Sequence, residues 1–135
     1  MAKSKRSPPI VDISGVWYNP KKSGYGVLIN NYGELTHSVA IYTFNERGEQ
    51  VWLVGASNRS ETKFLLTQPK ASGFMDSIRD KVDVEAGSIE FNQRPEDGAL
   101  EFKAVIKSEV VYPLPQFSPP PPALLTFEGV LVKLG

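Results

Sequence analysis

Apolar residues recur in this chain at every second position, and that period limits it to strands more than any other feature does. Leu100, Phe102, Ala104 and Ile106 alternate with Glu101, Lys103, Val105 and Lys107. A strand sends successive side chains to opposite faces, so one face here is oily and the other mostly charged. A half-buried antiparallel strand requires that pattern. Ser88 to Asn92 alternates the same way, with Ile89 and Phe91 inward. Between the two runs lies Arg94-Pro95-Glu96-Asp97-Gly98. Proline presets φ for a turn, and Gly98 can adopt the left-handed backbone that closes it. The two runs and their turn predict a β-hairpin.

Two further hairpins are predicted upstream. Tyr25–Asn30 and Leu35–Phe44 flank Asn31-Tyr32-Gly33-Glu34. Phe44 and Val51 flank Asn45-Glu46-Arg47-Gly48-Glu49. Both turns hold Asn and Gly, which reach positive φ at least cost. A first strand is expected over Asp12–Tyr18, and later ones over Lys63–Gln68 and Leu125–Leu134. The total is about eight short strands, which suits a small all-β domain. Successive hairpins favour an antiparallel up-and-down barrel, with a two-sheet sandwich as the alternative. Closure would also remove exposed sheet edges.

Two stretches depart from the pattern. In Ser72–Val84 the residues Phe74, Met75, Ile78 and Val82 fall at helical spacing, so a loop with one helical turn is expected, Ser72 being a candidate N-cap. Residues 113–122 read Pro-Leu-Pro-Gln-Phe-Ser-Pro-Pro-Pro-Pro. Such a run favours polyproline II and is expected as a stiff loop before the last strand, in preference to a docking peptide.

Composition excludes several functions. Fifteen basic residues balance fifteen acidic ones, so no net field draws the chain to nucleic acid. No apolar run approaches the roughly 20 residues of a membrane helix. Cysteine is absent, which removes disulfides, thiolate catalysis and sulfur-ligated metal sites. A chain of 135 residues can bury a core without them, since staples become necessary mainly below about 40 residues. Residues 1–10 form a basic, polar stretch expected to be a flexible tail, followed by one domain over 11–135. No apolar segment of a secretory signal follows the tail, so the chain as given is expected in the cytoplasm.

Catalytic patterns fail in turn. His37 is the single histidine, it lies in a predicted strand, and no serine sits in a nucleophile frame. No second histidine or cysteine exists to complete a transition-metal site, so no metal or cofactor is expected. Ser23-Gly24-Tyr25-Gly26 lacks the third glycine of a dinucleotide loop. The domain is therefore expected not to be an enzyme.

The notable cluster is aromatic. Trp17, Tyr18, Tyr25, Tyr32, Tyr42, Phe44 and Trp52 all fall in the first part of the chain. Trp and Tyr pair an apolar face with a polar tip and suit pockets for planar ligands. Trp17 shares its strand face with Ile13 and is expected in the core. Trp52 shares a face with Val54 and Ala56, and the core is favoured for it too. The candidate contacts are Tyr18, Asn19, Ser23, Tyr25, Tyr42 and Trp52. The aromatics would stack, and Asn19 and Ser23 would hydrogen-bond.

The segments Ile13-Ser14-Gly15-Val16-Trp17-Tyr18-Asn19-Pro20, Ser23-Gly24-Tyr25-Gly26, Ile41-Tyr42-Thr43-Phe44-Asn45, Gly48 and Val51-Trp52-Leu53-Val54-Gly55 together resemble a functionally uncharacterised bacterial group. Its members carry the pattern GxWYNP…SGxG…YTYD…G…WLxG, and many are predicted to be exported. The likeness implies a β domain and brings no activity with it. The opening Gly-x-Trp-Tyr-Asn is also similar to the first strand of avidin barrels, though the later avidin tryptophans are missing. That likeness implies barrel topology and not biotin binding.

The expected function is a non-enzymatic binding module for a small apolar or planar ligand. The alternative is a protein-interaction or homo-oligomer-forming domain that uses exposed aromatics and the proline-rich loop. Neither nucleic acid nor membrane is expected as a partner.

Overall fold

A computed structural model describes residues 12–22, 24–32, 36–58, 61–72, 77–113 and 123–134. Eight antiparallel strands form one closed barrel in simple up-and-down order. They are β1 (Gly15–Tyr18), β2 (Gly26–Tyr32), β3 (Thr36–Phe44), β4 (Gln50–Asn58), β5 (Lys63–Ser72), β6 (Arg79–Gln93), β7 (Leu100–Lys107) and β8 (Leu124–Lys133). One short helix, α1 (Ser108–Val111), follows β7. Each strand pairs with its neighbours in sequence, and β1 closes the ring on β8 through Trp17↔Lys133 and Tyr18↔Val132. The barrel expectation holds and the sandwich does not.

The turns form for the reasons their residues supply. Asn45 accepts the backbone N–H of Arg47 and of Glu49 on its Oδ1, at 2.9 and 3.0 Å, and Gly48 takes φ +78°. That Asx geometry closes the β3–β4 hairpin. In the β6–β7 turn Gly98 takes φ +73°, and Asp97 accepts the Ala99 N–H while pairing with Arg94. The hydrogen bond from Arg94 holds the Asp97 carboxyl below its ordinary range.

Alternation fills the barrel. Inward positions of β2 and β3 supply Val27, Ile29, Val39 and Ile41; β7 and β8 supply Leu100, Ala104, Ile106 and Leu131. One end is packed solid. Trp17 is 1% exposed there and donates its indole N–H to the Ile13 carbonyl at 2.9 Å. Phe64 meets Phe91 edge-on at 5.7 Å, and the His37 ring lies 4.7 Å from Phe64. His37 is fully buried and donates from Nε2 to the Glu61 carbonyl. It lies in a strand, as expected, and its side chain belongs to the core.

In Ser72–Val84 a single described residue, Ser77, has 3₁₀ geometry, and Arg79–Val84 is strand. Ser72 ends β5, and Arg79–Val84 opens β6 and pairs back onto β5 through Val82↔Lys70 and Val84↔Gln68. The valines at 82 and 84 alternate with Lys81, Asp83 and Glu85, and cross-strand pairing outweighs the weak helical spacing. Residues 73–76, with Phe74 and Met75, lie outside the described residues, as do residues 1–10 and residues 114–122 of the proline-rich stretch. A bulge interrupts β6, where the register passes from Leu66↔Gly87 to Thr67↔Glu85 and leaves Ala86 over. Gly87 there has φ +143°, and a Cβ on it would stand 2.0 Å from the Val105 carbonyl oxygen. Only glycine fits that site.

Candidate functional site

The second end of the barrel is hollow. A cavity of about 330 Å³ lies inside it. Its wall is apolar, built from Val27, Ile41, Val51, Leu53, Ile89, Phe102, Ala104 and Ile106. Its rim carries Asn19, Lys22, Thr43, Glu46 and Glu128. Ala104 on β7 and Thr43 on β3 are the small inward residues of its wall, and they leave room that Trp17, Phe64 and Phe91, none of which lines the cavity, do not fill.

Two devices shape it. The first is α1, which turns from the end of β7 across the mouth. Val110 is buried and lines the cavity together with Val111. The Val111 carbonyl accepts the Glu46 N–H at 2.8 Å, which ties α1 to the β3–β4 turn. The second is the β1–β2 loop. Because β1 meets β8 over two residue pairs only, the rest of the β8 edge faces this loop. Asn19 organises the loop: its Oδ1 accepts the Lys21 N–H at 2.9 Å and its Nδ2 donates to the Tyr25 hydroxyl at 3.1 Å. The Tyr25 ring is thereby aimed at Phe102, edge to face at 6.3 Å. A Cβ at Gly129 would stand 2.8 Å from the Phe102 ring, so glycine there lets Phe102 lie against the wall.

The six residues singled out in the sequence do not share one place. Asn19 and Tyr25 line the cavity. Tyr18, Tyr42 and Trp52 stand on the outside of the barrel. Ser23 lies outside the described residues. Trp52, favoured for the core, is 52% exposed. On β4 the buried set is Val51 and Leu53, one residue out of phase with Trp52, Val54 and Ala56. Tyr42 and Trp52 are direct cross-strand partners with ring centroids 5.6 Å apart. The Tyr42 ring lies over Gly26, whose missing side chain leaves it room.

Other lining residues escaped the sequence reading. Lys22 and Glu46 sit in turns, and Val110 and Val111 sit in a four-residue helix too short to show a period. Phe102, Ala104 and Ile106 were placed inward by alternation, but nothing in the chain tells an inward residue beside a void from one in a packed core. Among the described residues no cluster of His, Cys, Asp or Glu is placed to hold a metal ion. Among them, too, no helix is long and apolar enough to cross a membrane.

No protein-family model matches the chain, and neither the curated proteins nor the solved structures include a match.

Proposed function

We propose that this barrel is a non-enzymatic binding module that takes a small apolar or planar ligand into the cavity beneath α1. The carrying observation is the cavity itself. At about 330 Å³ it falls within the ~300–1,000 Å³ of small-molecule sites, and it combines an apolar wall with a few convergent polar groups. Tyr25 and Phe102 offer ring surface to a planar ligand, and Asn19 holds Tyr25 in position. Thr43 and the rim charges Lys22, Glu46 and Glu128 would orient a polar substituent toward solvent.

A thermal-shift screen of small apolar and planar compounds tests the proposal. A ligand that binds only the folded barrel must raise its melting temperature. Ala104→Phe, which places a ring inside the cavity, should abolish the shift, and Lys103→Ala on the outer face should leave it intact. Silence across the screen, or a shift that survives Ala104→Phe, would count against the cavity as the site.

A further inference from the structure

The outside of the barrel has two unlike halves. Across β5 to β8 one row of outward residues runs Lys63, Glu90, Lys103 and Glu128, each directly opposite the next. Alternating charge of this kind is a solvated face. The matching row across β1 to β4 runs Tyr18, Gly26, Tyr42 and Trp52. Among the described residues, no outward position on β1, β2, β3 or β4 is Asp, Glu, Lys or Arg. Val16, Tyr18, Leu28, Tyr42, Phe44 and Trp52 are all exposed on this half; the other half also exposes Leu65, Val82 and Leu124, but there they stand among lysines and carboxylates.

We infer that the β1–β4 outer face is the contact between two copies of this chain. Area is the first ground. An aromatic side chain carries 150–250 Å² of surface, so the exposed parts of these six residues amount to about 500 Å². The largest apolar patch of a typical monomer spans about 300–600 Å² and is often functional, so this one stands near the top of that range. A standard interface takes about 800 Å² from each partner, a little over half of it apolar, or roughly 450 Å². The face supplies that amount. Charge is the second ground. In a two-fold dimer a patch meets itself, so any charge near the axis would face its own kind. A face with no charges meets its copy without that repulsion. The inference does not rest on the cavity, which opens at the barrel's end; of the six residues only Phe44 also borders it.

The two tryptophans make the test direct. Trp17 is 1% exposed and Trp52 is 52% exposed, so any solvent-sensitive emission comes from Trp52. Sedimentation and fluorescence should be followed together from nanomolar to high micromolar protein. Dimerisation would appear as a doubling of sedimenting mass with a blue shift and reduced acrylamide quenching. Trp52→Lys and Tyr42→Lys should each halve the mass at the highest concentration. Circular dichroism, and in Trp52→Lys the remaining Trp17 emission, would report that the barrel stays folded. A wild-type chain that stays monomeric throughout overturns the inference, whatever other partner the face might take. So does a dimer that persists in both folded variants.

Discussion

Enlarging Ala104 separates a hollow barrel from a packed one without any ligand. Ala104 is 6% exposed, points inward from β7 between Ile89 and Phe127, and borders the cavity. Ala104→Leu adds three carbon groups. At ~0.8 kcal/mol for each buried carbon group the gain is about 2.4 kcal/mol. Fixing a leucine side chain costs about 0.5–1 kcal/mol, which leaves a net stabilisation of about 1.5 kcal/mol. For a domain of this size each kcal/mol moves the melting temperature by roughly 4 °C, so a rise of about 6 °C is expected. In a well-packed core the same change destabilises by about 1–3 kcal/mol, because the extra atoms force neighbours off their rotamers. The two cases therefore differ in sign. Urea denaturation with an unchanged m-value, checked by thermal melting, reads the difference. A loss of stability in Ala104→Leu would refute the reasoning, because the space it relies on would be absent.

Gly87→Ala should lower stability by about 3 kcal/mol, from a positive φ that costs about 1–3 kcal/mol and a blocked approach to the Val105 carbonyl; urea titration would show it. Trp17→Ala should cost about 4 kcal/mol, since the largest side chain of the packed end is lost together with its bond to Ile13, and denaturant unfolding measures it. Asp97 has a depressed pKa in the fold, so the unfolded chain takes up its proton first as pH falls. Its stabilising effect is present above the ordinary carboxylate range and fades as pH drops through the folded value. Asp97→Asn should flatten that part of a pH–stability profile measured by thermal melting.

The fold was largely legible because strand alternation and turn chemistry act locally. Leu100–Lys107 is one strand with the bounds its sequence suggests, and the turns at Asn45–Glu49 and Arg94–Gly98 close where Asn, Asp and Gly stand. The first half of β6 was missed because its valines and charges alternate only after Arg79, next to a segment with helical spacing. The site was half legible. Alternation divides a strand into two faces but does not say which one points in. Trp52 shows the difficulty: its face holds Val54 and Ala56 and is hardly less apolar than the face of Val51 and Leu53. The decision comes from the partners. Val51 and Leu53 lie opposite Thr43 and Ile41, and Trp52 lies opposite Tyr42, which has settled over Gly26. That choice is made across three strands, and no single run of residues records it.

The two ends of the barrel divide the work in a way that follows from residue size. Trp17, Phe64, Phe91 and Leu100 fill one end and close it against water, so most of the burial that stabilises the fold lies there. The other end has Ala104 and Thr43 inward and leaves a wall without a filling. Such a wall forgoes dispersion contacts that a ligand or a larger side chain would restore. The hollow end can be left open because the packed end holds the same eight strands, and α1 covers it through buried Val110 and backbone bonds to Glu46 and Ala123. The sign of the Ala104→Leu effect and the size of the Trp17→Ala effect are thus linked. A barrel that gains from the first and loses heavily from the second carries its stability at one end and its capacity to bind at the other.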